Sequence, residues 1–571
     1  MTGRLRIRIG PDYSFEALDS LVASTLDETP YDPPAATSAV AGLADRTLRW
    51  MTALQVHHNL PVSDVYRIGT PIPAEDGSSE ISIAAPCFVR AATQACLPRV
   101  MAAINVVLSA PENAAHARDA LDMPGLEAVF RRHAAGGTNM FHFLQAALDM
   151  DVPFSRLVSN IYTFGTGART RWLYSTITDQ TRQLGVRIAH DKLLTADLLR
   201  RAGLPAPVHM LAADEAAAVR AAETLGYPVV VKPTDQEQGR GVAANLGNAD
   251  AVRAAFAEAG KVSSSLLVEK HFHGKDYRLT VARGEVIKIE NRVAGGVEGD
   301  GVSTVEDLVR QEQDTPRFRK ILRDSGKMPL SLDSEALGLL GESGMTARTV
   351  PGAGEYVVLR RKNNVSTGGL QIRIALDGAH PDNLALAVRA AALLHLDFAG
   401  IDLLTPDIGR SWLETGALIC EVNAQPQIGI RTTPDIYREV LSGLMADGSR
   451  IPAHLIVTTS GTAIDHADAV RDAGELKCNG LSTSSGVWID GKRIAAQPVG
   501  AYHAATILLS EPTARSALCI ISAEDVTENG LPADHFRSIR VFGRDPATET
   551  HKRELAALVS MIRPHAEQFL T

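Results

Sequence analysis

Two apolar runs with a polar stretch between them constrain this chain most: "AGIDLL" (399–404) and "ALICEVN" (417–423), separated by "TPDIGRSWLETG". Each reads as a strand. Side chains alternate faces along a strand, so Glu421 and Asn423 project together and Val422 opposes them. Pro426 then breaks the strand. If the two runs pair, Asp402 joins Glu421 and Asn423, and their side-chain oxygens meet at one place. Hard oxygen donors at a strand end suit a Mg²⁺ ion that also holds substrate phosphates. Read alone, the same pattern fits a strand end facing water.

The preceding stretch adds further polar groups at element ends. "HDKLLTADLLRRAGLPAP" reads as a short helix opened by Lys192, with Leu193, Leu194, Leu198 and Leu199 on one face and Gly203 as its stop. "DEAAAVRAAETLGYPVVVKP" reads as a helix capped by Asp214 and then a buried strand ending in Lys232. Two lysines brought together at such ends would neutralise polyphosphate oxygens, although a lone lysine is more often a solvated charge. "QGRGV" supplies Gly239 and Gly241, whose backbone N–H groups could cover phosphates; a lone G-x-G is weak evidence. In "LLVEKHFHGKD", Glu269 and Lys270 end an apolar strand, which suits an adenine edge, and Asp276 follows at a bend, which suits ribose hydroxyls. "YRLTVARGEVIKIEN" reads as a hairpin turning at Gly284, and 296–365 as irregular and polar. A helix over 383–396 leads into the two runs.

The flanks read differently. Residues 1–165 are an α+β region: "RLRIRIG" alternates like a strand, and "ALDSLVASTL", "PRVMAAINVVLSA" and "GTNMFHFLQAALDM" look helical. His57 and His58 read as surface residues at an element end. Past 440 a small α/β unit begins with a strand, a Gly/Ser loop and a helix. At 571 residues the chain is long enough for roughly three to four domains. A formal net charge of −9 gives no basic field for nucleic acid. The five scattered cysteines form no CxxC pair and read as reduced core thiols of a cytoplasmic protein. "MTGRLRIRIGPDYSFEA" has no secretory pattern, and "NLALAVRAAALLHLDFAGIDLL" carries too many polar groups for a membrane span.

The order Lys192, Lys232-Pro, glycine loop, Glu269-Lys270, Asp276, Asp402 and Glu421-x-Asn423 resembles the ATP-grasp ligases over roughly 185–435. That resemblance implies ATP phosphates on Lys192 and Lys232, adenine beside Glu269 and Lys270, ribose on Asp276, and two Mg²⁺ ions on Asp402, Glu421 and Asn423. The implied reaction joins a carboxylate to an amine, forming ADP through an acyl phosphate. An arginine is the natural oxyanion partner, and Arg278 and Arg361 are the candidates. Ser366 to Gly369 resembles a mobile loop that closes over such a site. Arg360, Arg361 and Lys362 also read as a solvated charge run.

A closer resemblance runs through "GTGARTRWLY", "GYPVVVKPTDQEQGRGVAANL", "GDGVSTVEDLV" and "LRRKNNVSTGGLQI" to the cyanophycin synthetases. In that family an ATP-grasp domain is followed by a Mur-ligase-like domain. Here "LIVTTSGTAIDHADAVRDAG" stands where a Mur-like P-loop would be, with Ala463 at the lysine position and Thr462 before it. The fold expectation is therefore α/β (α+β): an N-terminal domain over 1–165, an ATP-grasp domain over 166–438 and a degenerate, truncated Mur-like region over 439–571. The expected protein is a cytoplasmic homo-oligomer, dimer or tetramer, acting on amino acids or peptides with ATP and Mg²⁺, with no nucleic-acid or membrane partner. Gln425 and Gln427 depart from the family run and put a polymer substrate in doubt; short-peptide synthesis and dipeptide polymerisation both stay open. A nucleotide-binding scaffold without turnover, and a kinase stopping at the acyl phosphate, are the competing readings.

Overall fold

In the computed structural model of this chain, strand Phe398–Thr405 pairs antiparallel with Leu418–Asn423, setting Asp402 opposite Glu421 and Gly400 opposite Asn423. The structure describes every residue except 11–12, 27–31, 34–37, 110–113, 236–240, 326–329, 362, 364–367, 430–432, 434, 460–461, 496–499, 544–548 and 571. A register shift beyond Asp402 leaves Cys420 as the extra residue of a bulge. The bulge resolves a conflict in the sequence. Under strict alternation Ile419 and Glu421 would share a face; with Cys420 inserted, Ile419 and Val422 both enter the core while Glu421 stays opposite Asp402.

These strands close one edge of a five-stranded antiparallel sheet, whose order is Leu370–Ile374, Glu285–Val293, Lys275–Ala282, Phe398–Thr405 and Leu418–Asn423. One face carries Tyr277, Leu279, Ile289, Ile401 and Leu403 against helix Pro381–Leu393. The hairpin between Lys275–Ala282 and Glu285–Val293 turns through Arg283 (φ 51°) and Gly284 (φ 81°), the backbone a two-residue hairpin needs. A second, four-stranded sheet has the order Ala243–Leu246, Val229–Pro233, Leu266–Lys270 and His209–Ala212. Val229, Val231, Leu266 and Val268 pack against helices Glu215–Leu225 and Ala249–Gly260.

Helix Lys192–Arg201 buries Thr195, Ala196 and Leu199. The four-leucine face expected there does not form, because Leu194 is 52% exposed. The buried strip is instead Thr195, Ala196 and Leu199, at i, i+1 and i+4, so two of its three residues are smaller than leucine. Segment 296–365 is also more ordered than its polarity suggests. Helices Val305–Gln313, Pro316–Ser325 and Ser334–Glu342 and the strand pair Gly296–Glu298/Tyr356–Val358 enclose a core of Val305, Val309, Phe318, Leu340 and Leu359.

The chain divides into two compact units: 176–436, just described, and 1–175 together with 437–571. In the second unit, helices Ala39–His57 and Arg90–Ser109 pack around Leu48, Trp50, Val100 and Ile104. Arg90–Ser109 is long and apolar enough to cross a membrane, but its Cys96, Val100, Ile104 and Val107 are buried in this core. His57 is exposed, whereas His58 is half-buried with its ring 5.3 Å from Phe130. Strand Ala453–Thr458 lies between Ala517–Ser522 and Phe536–Phe542 in a seven-stranded sheet, parallel to both. The "GTGAR" turn is structural: a Cβ on Gly167 would lie 2.5 Å from the Ala514 carbonyl oxygen, and Ala168 N–H donates to that oxygen at 2.8 Å. Among the described residues all five cysteines are free; Cys96 and Cys519 are buried, whereas Cys87 is exposed and so is no core thiol.

Candidate active site

The polar face of the five-stranded sheet carries a transverse row. Glu290, Arg278, Asp402 and Glu421 stand directly opposite one another on four consecutive strands. Side chains in such pairs are close enough to interact. Arg278 forks onto both oxygens of Asp402, with its Nη2 at 3.0 Å from Oδ2. Arg292, one step along the neighbouring strand, reaches Asp402 at 3.0 Å and Asp276 at 2.8 Å. Asn363 donates to the other oxygen of Asp276 at 3.0 Å. Burial opposes the charge on Asp402, but the guanidiniums of Arg278 and Arg292 outweigh it and hold the carboxyl below its ordinary value. Gly400 permits this geometry, since a Cβ there would sit 3.0 Å from Arg278 Nη1 and 3.0 Å from Pro426 Cβ.

The four-stranded sheet carries its own polar cluster on the face away from its helices. Lys232 ion-pairs with Glu269 at 2.7 Å, and His209 Nε2 meets the same oxygen at 2.7 Å. Burial opposes the Glu269 charge, and Lys232 and His209 overcome it, so this carboxyl also lies below its ordinary value. Charges from both clusters act on Cys420, the bulged residue next to Glu421. Burial pushes its thiol up, and the charges acting on it are those of Lys232, Glu269, Asp276 and Asp402. Lys192 opens its helix next to the cap Asp191 and lines one small cleft with Cys420 and Glu421.

The structure thus gathers Lys192, Lys232, Glu269, Asp276, Arg278, Asp402, Glu421 and Asn423. Gly241 (φ 70°) crosses over Pro233 just past Lys232, where its Cβ would meet Pro233 Cγ at 2.9 Å. Two expected residues lie elsewhere. Lys270 sits on the opposite face of its strand from Glu269 and donates to the carbonyls of Gly226 and Tyr227 at 2.7 and 2.8 Å. Arg361 is exposed and pairs with Glu342 on the helical lobe. Its neighbour Arg360 is no solvated charge: it is 6% exposed and bonds to Asp333 at 3.0 Å. Gly239 and the loop residue Ser366, with Lys362, lie outside the described residues.

The donor set suits a hard divalent cation in part. Glu421 has no hydrogen-bond or ion-pair partner among the described residues, and Asn423 offers a neutral oxygen beside it. Asp402 could join only by giving up an arginine. Arg292, His209 and the buried pair Lys288–Glu290 were not anticipated. For Lys288, Glu290 and Arg292 the signal was their alternation in "IKIENRV", which puts all three on one face.

Residues 187–275 match the profile of the ATP-grasp domain. This chain carries an ATP-grasp domain. It is 30% identical over 431 residues to a cyanophycin synthetase of Geminocystis herdmanii, an alignment covering 73% of this chain and 48% of that one. It is 28% identical over 274 residues to the glutathione biosynthesis bifunctional protein GshAB of Desulfotalea psychrophila, covering 47% of this chain and 35% of that one. Among solved structures, a bifunctional glutathione synthetase from Pasteurella multocida aligns over 62% of this chain and 52% of its own, with 22% identity and a TM-score of 0.43. The chain spans about half the length of the cyanophycin synthetases it matches, 48% and 45% for the first two. The profile match ends at the start of strand Lys275–Ala282, so the ATP-grasp assignment covers the Lys232–Glu269 cluster and stops short of the Arg278–Asp402–Glu421 row.

Proposed function

We propose that this protein is an ATP-dependent, ADP-forming ligase that joins the carboxylate of an amino acid or peptide to an amine through an acyl phosphate. The observation that carries this reading is the position of Asp402, forked by Arg278 on one neighbouring strand and facing Glu421, whose side chain has no partner among the described residues, on the other.

Lys192 and Lys232 take the ATP phosphates as point charges, Glu269 orients Lys232, and Gly241 belongs to the loop that covers the phosphates. Asp276 reaches ribose only by releasing Arg292 or Asn363. Glu421 and Asn423 would hold Mg²⁺, which when bound would neutralise phosphate oxygens. The substrate carboxylate attacks the γ-phosphoryl group, ADP leaves, and the amine then displaces phosphate from the acyl phosphate. Arg278 stabilises the oxyanion of that second step. It is always charged and is already held in one orientation by its two bonds to Asp402, so little reorganisation is needed. Lys270 and Arg361 have no part in this scheme, because each is committed to partners away from the row.

Residues 439–571 are assigned a structural role without ATP turnover. The helix after strand Ala453–Thr458 is capped by Asp465, which accepts from Asp468 N–H at 2.8 Å, and Asp468 sits in the first turn. Two carboxylates at that helix end oppose a phosphate. The domain division at 165 and 438, a homo-oligomeric state and a cytoplasmic location complete the proposal; the free cysteines support the last of these.

The test is ADP release from MgATP across a panel of amino acids and dipeptides, with mass spectrometry of the products. Amino-acid-dependent ADP formation, with a product formed by loss of water between two substrates, is expected. ADP release indifferent to every amino acid and dipeptide would overturn the reading.

A further inference from the structure

The segment after the Glu421–Asn423 strand end is clamped onto the polar face at two buried points. Thr176, fully buried, donates its hydroxyl to the Pro426 carbonyl at 3.0 Å. Lys288 donates to the Ile428 carbonyl and ion-pairs with Glu290 at 2.7 Å, and the two side chains are only 3% and 6% exposed. Pro426, the first of these anchored residues, and Arg278 both border Gly400, each 3.0 Å from where a Cβ there would stand. Glu290 is directly opposite Arg278 on the next strand, so the buried pair and the arginine share one patch of the sheet.

A lysine buried to this degree is costly unless it is paired and hydrogen-bonded. Lys288 meets both conditions, and one of its partners is a carbonyl of an irregular segment with no ladder of its own. We propose that Lys288 is a positioning residue. With Thr176, it fixes residues 424–428 over the sheet, and the fixed segment holds Pro426 against Arg278, keeping the guanidinium forked on Asp402. The inference rests on the ligase reading only for its kinetic consequence; the clamp itself is independent of turnover.

Two variants test it, because removing Lys288 alone would take the ion pair from the buried Glu290. Lys288→Met/Glu290→Gln removes the ion pair together, and Thr176→Val removes the other anchor at nearly constant shape. The readout is backbone hydrogen exchange of the full-length protein without ligand, comparing a peptide over 421–429 with a control peptide over 229–233. Loss of an anchoring hydrogen bond should speed exchange in 421–429 roughly tenfold or more, with the control peptide unchanged. Where the wild-type protein turns over, kcat should fall roughly tenfold while the KM for MgATP stays within about twofold. Lys288→Arg, which keeps the donor and the charge, should recover most of kcat. Unchanged exchange in 421–429 in both variants, or equal acceleration in both peptides, would overturn the clamp. So would a full loss of kcat that Lys288→Arg does not rescue. A wild-type protein with no amino-acid-dependent ADP release would instead sink the ligase reading and leave the exchange result to decide the clamp.

Discussion

Lys232 meets Glu269 at 2.7 Å across neighbouring antiparallel strands, and both side chains are nearly buried. Lys232 is therefore a structural partner as well as a phosphate ligand in the proposed scheme. Lys232→Ala should abolish nucleotide binding and also destabilise the protein by about 3–5 kcal/mol, because it leaves a carboxylate buried beside His209 alone. Lys232→Met/Glu269→Gln should recover most of the stability and none of the nucleotide affinity. Chemical denaturation and ATP titration of the two variants separate the effects.

The Glu269 carboxyl also ties stability to pH. Its folded-state value lies below the ordinary carboxylate range, so its contribution is present above about pH 4.3 and is lost as pH falls through the lower folded value. Wild-type protein should lose stability faster than Glu269→Gln between about pH 4.3 and the acid limit of folding. Urea midpoints measured across that window should converge as the carboxyl protonates; parallel curves would count against the pair.

Glu421→Gln should leave the fold intact and reduce turnover by about 10²-fold or more. Glu421 has no partner to lose among the described residues, so its thermal midpoint should match wild type, while ADP release reports the lost charge. An active Glu421→Gln protein would remove Glu421 from the cation site.

Gly185→Ala should be among the most damaging single changes in residues 176–436. A Cβ there would lie 1.8 Å from the Leu394 carbonyl oxygen, a backbone atom that cannot swing aside. Helix Gln183–Ala189 would have to move, and helix Lys192–Arg201, which brings Lys192 to the site, follows it directly. A loss of roughly 3 kcal/mol or more is expected from overpacking against backbone, read by thermal unfolding.

The sequence made the strand pair 398–405/418–423 legible because both runs are apolar and Glu421 and Asn423, two residues apart, share a face that pairing sets opposite Asp402. The hairpin at Gly284 was legible for the same local reason. What escaped was set by partners distant in the chain. Arg292 joins Asp276 to Asp402, and Lys288 holds Ile428; the alternation in "IKIENRV" marks the shared face of Lys288 and Arg292 but not which distant partners they reach. Arg361 looked suitable because it is an arginine near a glycine-rich loop, and only the packing of helix Ser334–Glu342 shows that Glu342 claims it. Segment 296–365 looked irregular because its helices are short and rich in charge, so that Val305–Gln313 buries just Val305, Leu308 and Val309.

The last expectation concerns residues 439–571. If that region has no ATPase of its own, all ATP turnover belongs to the site built on Lys232 and Glu421. The loop after strand Ala453–Thr458 supports this. Thr462 N–H is spent on the Thr459 carbonyl at 3.0 Å, and Thr459 N–H on the Phe542 carbonyl at 3.0 Å, so neither is free for a phosphate. Asp465 already occupies the helix start with a negative charge. Ala463→Lys should therefore create no second activity, since one cation does not reverse two carboxylates and two committed amides. Lys232→Met/Glu269→Gln combined with Glu421→Gln should show no ATP turnover above background while keeping near-wild-type stability. The measurement is ADP release at saturating MgATP in that triple variant. Turnover at the wild-type level would mean that the loop at 459–465, or another site in the chain, hydrolyses ATP, and the structural role given to this region would be wrong.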